Sequence, residues 1–597
     1  MVSKIFSSKD KSSTPLFIQL FLIFCLFFVF NGGAFLIGWE QFKHIRVLHR
    51  VLSVIFVIIG IVICYLLYTK DKDTFFNLEP MRSLRYFFGM PAVISVGLLT
   101  FLYFATQLTY LITMHAGFGT SLWDLGIYDQ VIWNTAHGDF LVTSVRGGLH
   151  VFCEHFKPII ALLSSIYWFR NSSVLLFTVF TLITSSSIAL SYLISKQLTA
   201  SHLVSLIFAF CVFFYQPMRN GIDFLFHTQA LADPFLLAGV CFVPKTQIKR
   251  AILFFLLALM CKENIAMDVL GIGLFFISRK VKSGWTISFL AMLFLVLFVF
   301  VIEPHFSYPY HFLNKWTTYA YFRNPSLEAW KSLLDPNPIV FLILVFAPFF
   351  FLSFKCKGWY WLLGPSLALR LLGNMPGLRL TTVHYTAGLN ALVIISAIYG
   401  LAFYFENKKN ERKSPTTILI LLIFSAFLFS GKPQLFAIDR FLTDVSKQEV
   451  QAAVKVLESI PSKYSVLTNE RTSAHLSHRS HLYVFFSMFP HAPLEDAVKH
   501  PDLVVEDVER VTDREREVVL GLVKEGYLLI FEHGFIRIYA SPNIQIPQAL
   551  MTEWEEFKQP PAVPYRRFVQ FGYRSIFVVG ILFVVGLLVR RNILTTY

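Results

Sequence analysis

Apolar residues come in long runs, and the polar stretches between them are mostly short and basic. After a Lys/Ser-rich start the runs lie near 16–37, 51–68 and 87–112, then near 172–194, 203–217, 228–243, 251–278, 285–302, 337–354, 359–372, 384–404, 416–430 and 573–589. A helix of about 20 apolar residues crosses a bilayer, so the pattern predicts a polytopic α-helical membrane protein of about 12–14 spans. The first run is too long for a signal peptide and lacks a small-residue cleavage site, so it reads as a retained span. The chain divides into two N-terminal spans with a charged linker (1–85), a transmembrane domain (86–430) with a first outer loop at 114–157, a polar segment (431–565) and a C-terminal span (566–597).

The segment 431–565 has a different rhythm. Val450, Val454 and Leu457 recur at helical spacing over 448–457, and Pro461 ends that helix. Short apolar stretches at 464–468, 481–486, 502–505, 527–531 and 535–539 predict strands, the last two joined by a turn at Glu532-His533-Gly534. A small extracytoplasmic α/β domain near the C-terminus is expected. It contains no GxGxxG and no GxxxxGK(S/T), so it carries no nucleotide-binding signal.

Composition and charge sharpen the class. Of 597 residues, 55% are hydrophobic and 15% charged, with 65 Phe, and the mean hydropathy is +0.59. These values exclude an ordinary soluble enzyme and a disordered chain. The net charge is +15, which by itself would suggest nucleic acid, but its distribution points elsewhere. Residues 431–560 hold 14 basic and 19 acidic residues, a net −5, which leaves +20 on the rest. That excess sits at run ends: Lys196, Lys245, Lys249, Arg250, Arg279, Lys280, Lys282, Lys355, Lys357, Lys408, Lys409, Arg412, Lys413, Arg590 and Arg591. The positive-inside rule makes those ends cytoplasmic. A multi-pass plasma (inner) membrane protein follows, with both termini cytoplasmic and 431–565 outside. Alternation closes if 251–278 is a re-entrant or broken pair rather than one crossing. No nucleic-acid partner is implied, and the oligomeric state is open. The seven Cys lie mostly in apolar runs and give no disulfide framework.

Candidate chemistry concentrates on the outer face. The first loop reads W-D-L-G-I-Y-D-Q-V-I-W at 123–133 and E-H-F-K-P-I-I at 154–160. Asp124 and Asp129 interleave with Tyr128, Val131, Ile132 and Trp133, a pattern that suits an amphipathic helix at the interface. Such acids can activate an acceptor hydroxyl or grip a polar head group. Equally, Asp124 can cap the helix while the tryptophans anchor it. Lys262-Glu263 interrupts an apolar run, and charges there are costly and are functional or paired. They suggest a broken hairpin whose apex lines a polar cavity, with Lys262 able to hold a phosphate as a point charge. A local ion pair fixing the break is the alternative. His227, four residues after Asp223, and His384-Tyr385 lie at predicted outer ends, as further site residues or as polar anchors. No HExxH or CxxC occurs.

In order, W-D-L-G-I-Y-D-Q-V-I-W, E-H-F-K-P-I-I, D-F-L-F-H-T-Q-A-L-A (223–232), C-K-E-N-I-A (261–266) and L-T-N-E-R-T-S-A-H-L-S-H-R (467–479) resemble the DUF2079 family of predicted polytopic membrane proteins. The resemblance covers roughly 86–545 and implies a GT-C-like fold, as in glycosyltransferases that take a sugar from a polyprenyl-phosphate donor on the outer face. It implies Asp124 as the first-loop acid, with Asp129 second. Glu154 and His155 match the family's acid-His pair, and Lys262 and Glu263 its Lys-Glu motif. Glu154, His155, His227, Lys262, Glu263, His384 and Tyr385 are the expected substrate-binding residues. The expected partners are membrane lipid and the polyprenyl-phosphate sugar donor, and a divalent cation is left open as a cofactor. The chain departs from the family at Glu154 (commonly Asp), at Gln229 (commonly Glu) and at Asn264 (commonly an acid). A transporter or flippase for a lipid-linked or polar solute and a non-catalytic membrane scaffold are the rival readings.

Overall fold

The computed structural model describes residues 92–306, 336–373, 376–408, 416–430, 438, 441, 444–485 and 500–559. The expected spans near 16–37, 51–68 and 573–589 lie outside the described residues. Within them the apolar runs become helices: α1 (Ala92–Ala116), α2 (Ile127–Ala136), α3 (Ile159–Ser164), α4 (Ser173–Thr199), α5 (His202–Phe213), α6 (Gln216–Asp223), α7 (Ala232–Phe242), α8 (Ile248–Leu259) and α9 (Ile265–Ser278). There follow α10 (Ser283–Phe306), then α11 (Pro336–Phe346), α12 (Trp359–Leu371), α13 (Leu389–Lys408) and α14 (Thr416–Leu428). Among the described residues α1, α4, α10 and the stretch Leu389–Glu406 of α13 are long and apolar enough to cross a membrane, and α5 with α6, bent by 44°, makes either a broken span or a re-entrant loop. Pro217 fixes the backbone at the start of α6, just after the bend. Large apolar side chains of these helices face outward, among them Phe101, Leu182, Phe289 and Phe300, as a lipid solvent allows. Hydroxyls along α4 donate to the preceding turn, such as Thr181 to the Phe177 carbonyl at 2.7 Å and Ser185 to that of Thr181 at 2.5 Å. That satisfies them where no water is available.

The run 251–278 is broken. α8 and α9 flank the irregular residues 260–264. The free carbonyls at the break find donors from elsewhere: the Ile159 amide reaches Met260 O at 3.0 Å and Thr228 Oγ1 reaches Cys261 O at 2.9 Å. α9 leaves the break alongside α13, from Asp268 against Gly388 to Arg279 stacked 4.7 Å from the Tyr399 ring.

The C-terminal unit is a five-stranded sheet in the order β4-β3-β5-β7-β6, with β3 (Val466–Thr468), β4 (Leu482–Val484), β5 (Leu503–Asp507), β6 (Leu528–His533) and β7 (Ile536–Ala540). β4, β3 and β5 run parallel, while β7 and β6 are antiparallel. Central β5 is buried at every position, as a strand covered on both faces must be. α15 (Gln448–Ser459) packs on one face and α16 (Asp513–Lys524) on the other. α16 starts in a Thr512/Glu515 capping box, and α17 (Gln548–Phe557) brings Trp554 into the core.

The first loop does not lie at a membrane interface as an amphipathic helix. Residues 127–134 of α2 are all buried, because helices cover one side and the sheet unit covers the other. Phe118, Leu122, Ile127 and Val145 belong to the same apolar core as Val450, Val466, Val505, Ile538 and Trp554. Burying each such side chain contributes about 1.5–3 kcal/mol. The loop also makes a small hairpin, β1 (Val142–Thr143) with β2 (Leu149–His150).

Candidate functional site

The residues ahead of α2 do not simply continue into it. Trp123 is extended and Asp124 has φ +61° and ψ −72°, a region that only glycine enters freely and that in other residues stores strain. The kink aims the Asp124 carboxylate away from the face that holds Asp129. Asp124 Oδ1 lies 3.7 Å from His227 Nε2. His227 Nδ1 accepts the Gln229 amide at 3.3 Å, so in the neutral ring Nε2 carries the proton and points toward Asp124. Lys157 Nζ is 3.4 Å from the same Nε2 and donates to the Tyr128 hydroxyl. The His227 ring stacks on that of His384 at 3.6 Å, and Lys262 Nζ sits 5.3 Å from the Tyr385 ring centre.

Four stretches distant in sequence thus meet at one place. Burial pushes the Asp124 carboxyl above its usual range, against the pull of Lys157 and Lys262. Burial pulls Lys157 down, and the charge of Lys262 adds to it. Burial would also raise Glu154, but Arg146, His155 and Lys157 outweigh it and hold Glu154 at about 2. Arg146 makes an ion pair with Glu154.

Two expectations need correction. Lys262 and Glu263 do not pair. Glu263 accepts from His155 Nδ1 at 2.7 Å and from the Phe156 amide at 3.0 Å, and so ties the first loop to the α8–α9 break. Lys262 instead lies against the Tyr385 ring, and the charge of Glu263 acts on it only through space. Asp129, expected beside Asp124, lies outside the cluster. It is fully buried and accepts from Tyr167, from Ser173 at 2.8 Å and from Ser477 at 2.7 Å. His478 Nε2 stands 3.2 Å away.

A supporting layer escaped sequence reasoning. Arg370 is buried and donates to the carbonyls of Tyr385 at 3.1 Å and Ala387 at 2.8 Å, beside Asp268 at 3.8 Å. Asp233 accepts the amides of Gly388 at 2.8 Å and Ala391 at 3.1 Å, and so caps α13 from another helix. Gly388 has φ +86°, and a Cβ there would stand 2.2 Å from Asp268 Oδ2. These contacts fix the turn that carries His384 and Tyr385. Arg370, Asp268 and Asp233 are charges inside apolar runs, the same signal that singled out Lys262. Lys157 stands within the quoted E-H-F-K-P-I-I.

The donor set does not suit a divalent cation. Glu154 is taken by Arg146 and Glu263 by His155, which leaves Asp124 amid lysines and histidines. Among the described residues no group of three His, Cys, Asp or Glu side chains is placed to hold a metal ion.

The model of the DUF2079 family, described as a predicted membrane protein, matches residues 114–520. The chain belongs to that family. No curated protein matches its sequence. Among solved structures it is similar to ArnT from Cupriavidus metallidurans bound to undecaprenyl phosphate, with 11% identity and a TM-score of 0.48 over 75% of this chain and 99% of that one. The apo state of ArnT gives 12% identity and a TM-score of 0.43 over 74% and 97%. Within DUF2079, this chain's Gln229 has a structural reason: its Nε2 donates to Ala387 O at 3.3 Å, a bond that an ionised Glu cannot make.

Proposed function

We propose that this DUF2079 protein is an integral membrane glycosyltransferase with a GT-C-like transmembrane domain. It transfers a sugar from a polyprenyl-phosphate-linked donor to an acceptor at the outer face of the plasma (inner) membrane. What supports this is the convergence of Asp124, Lys157, His227, His384 and Lys262 from four separate stretches, together with the family resemblance. A carboxylate held above its usual pKa is poised to take a proton near neutral pH. Asp124 orients the acceptor hydroxyl and receives its proton. The acceptor oxygen attacks the sugar's anomeric carbon, and the carbon–oxygen bond to the phosphate breaks with its electron pair going to the phosphate. Lys157 and Lys262 offset the charge that develops there. Glu154, His155, His384 and Tyr385 line the surroundings.

The test is transfer of radiolabelled sugar from a polyprenyl-phosphate donor in membranes containing the full chain. Asp124→Asn should lower the rate by about 10²–10⁴, and the wild-type rate should fall as pH drops through the raised Asp124 pKa. A fully active Asp124→Asn overturns the assignment. Movement of the lipid-linked sugar across the bilayer without transfer would instead favour a flippase.

A further inference from the structure

The segment 469–479, N-E-R-T-S-A-H-L-S-H-R, is unused by the chemistry above, yet almost every polar group in it reaches the first loop or braces the turn that does. His475 Nε2 donates to His115 O at 3.1 Å, and the two imidazoles stack at 4.1 Å. Arg471 lies over the Phe118 ring at 5.4 Å while paired to Asp507 at 3.1 Å. Ser477 and His478 meet Asp129. Gln130 Nε2 donates to Arg479 O at 2.9 Å. A Cβ on Gly126, two residues after Asp124, would stand 3.5 Å from Ser473 Oγ. Next to this segment, Ser144 Oγ bonds both the amide and the carbonyl of Leu482, at 2.9 and 2.8 Å.

We propose that the α/β domain positions Asp124: Ser477 and His478 grip Asp129 on the first turn of α2 and hold the preceding backbone in its left-handed conformation. The left-handed Asp124 lies between two fixed points. Behind it is the Asp129 grip, and ahead of it are Phe118 and Leu122 in the core of the sheet. A residue in that conformation relaxes unless its surroundings over-determine it. Asp129, Ser477 and His478 are positioning residues. The carboxylate of Asp129 keeps hydrogen bonds from the hydroxyls of Tyr167 and Ser173 when the two domain-side groups are removed, so that substitution loosens the grip without stripping it of donors. The kinetic part rests on the proposed function, whereas the spectroscopic part does not.

The experiment uses the full-length protein labelled with 5-fluorotryptophan, the Trp123 resonance being assigned by its loss in Trp123→Phe. Trp123 adjoins Asp124 and is 43% exposed, so its fluorine senses the turn directly. In Ser477→Ala/His478→Ala that resonance should shift or broaden, and the transfer assay should lose about 10–100-fold in kcat at unchanged donor KM, as for a slightly misplaced catalytic group. Arg537→Gln, on an exposed pair of the same sheet, should change neither. Should the double variant fail to fold, Ser477→Ala alone should move both readouts in the same direction by less. An unchanged Trp123 resonance overturns the proposal. A shifted resonance with unchanged kcat overturns the link to catalysis. Absence of transfer in the wild type defeats the proposed function while the resonance still decides the grip.

Discussion

Asp124 and Asp129 are five residues apart and chemically alike, yet the fold gives them opposite work. Asp124 is strained, half-buried and held above the usual carboxylate range by burial. Burial would raise Asp129 too, but His478 and the hydroxyls of Tyr167 and Ser477 hold it at about 2. Its ordinary value is 3.8, so between about pH 4 and pH 2 the unfolded chain binds a proton that the folded chain refuses. The stability this supplies is present above about pH 4 and lost as pH falls through about 2, and it amounts to about 2 kcal/mol. Asp129→Asn removes that dependence. Its melting temperature should fall less than the wild type's between pH 5 and pH 2.5, and parallel acid limbs would contradict the account. The sequence made Asp124 legible as a loop acid beside aromatics. It did not separate it from Asp129, because a spacing of five assumes one continuous helix. The kink at Trp123–Asp124 turns the two carboxylates to different sides, and no local propensity announces such a kink.

The break between α8 and α9 was legible for a physical reason: two charges inside an apolar run must either be satisfied or line a polar place. What was not legible is which partner each charge takes. Glu263 turns to His155, 108 residues away in sequence, and Lys262 turns to the Tyr385 ring. Helix ends followed the same division. α15 stops where Pro461 approaches, as read from the chain, whereas α13 is started by Asp233 from another helix. A double-mutant cycle tests the partner assignment. His155→Ala and Glu263→Gln should be non-additive in thermal stability by about 1–3 kcal/mol, the range of a charge-assisted hydrogen bond. Lys262→Met and Glu263→Gln should couple more weakly than that pair, because Glu263 acts on Lys262 through space without a direct ion pair. A strong Lys262–Glu263 coupling with an additive His155–Glu263 pair would restore the local ion pair.

At the scale of the molecule, most described helices could be read from hydropathy, because a lipid solvent demands long apolar runs. The core shared by the first loop and the sheet could not, since Phe118 and Leu122 lie about 350 residues from Val466 and leave no periodic trace. The proposed orientation rests on combining the two kinds of observation. α4 begins at Ser173, bonded to Asp129, and ends near Lys196. α7 holds Asp233 in its first turn beside Gly388 and ends before Lys245, and α8 carries Lys249 and Arg250 in its first turn and returns to the break. α9 leaves that break beside Gly388 and reaches Arg279 beside Tyr399, while Lys357 lies over Phe403 further along α13. The helix ends that carry the site and the sheet domain are therefore opposite those that carry the basic clusters. With basic clusters kept in the cytoplasm, the proposed outer-face reaction carries the expectation that the site and the sheet domain face outward. A single Cys at exposed Glu517 in α16, in a chain whose own cysteines have been replaced, should react with an impermeant thiol reagent on intact cells. A Cys at Lys249, at the start of α8, should react only after permeabilisation. The reverse pattern would put the site on the cytoplasmic face and remove the outer-face acceptor from the proposed reaction.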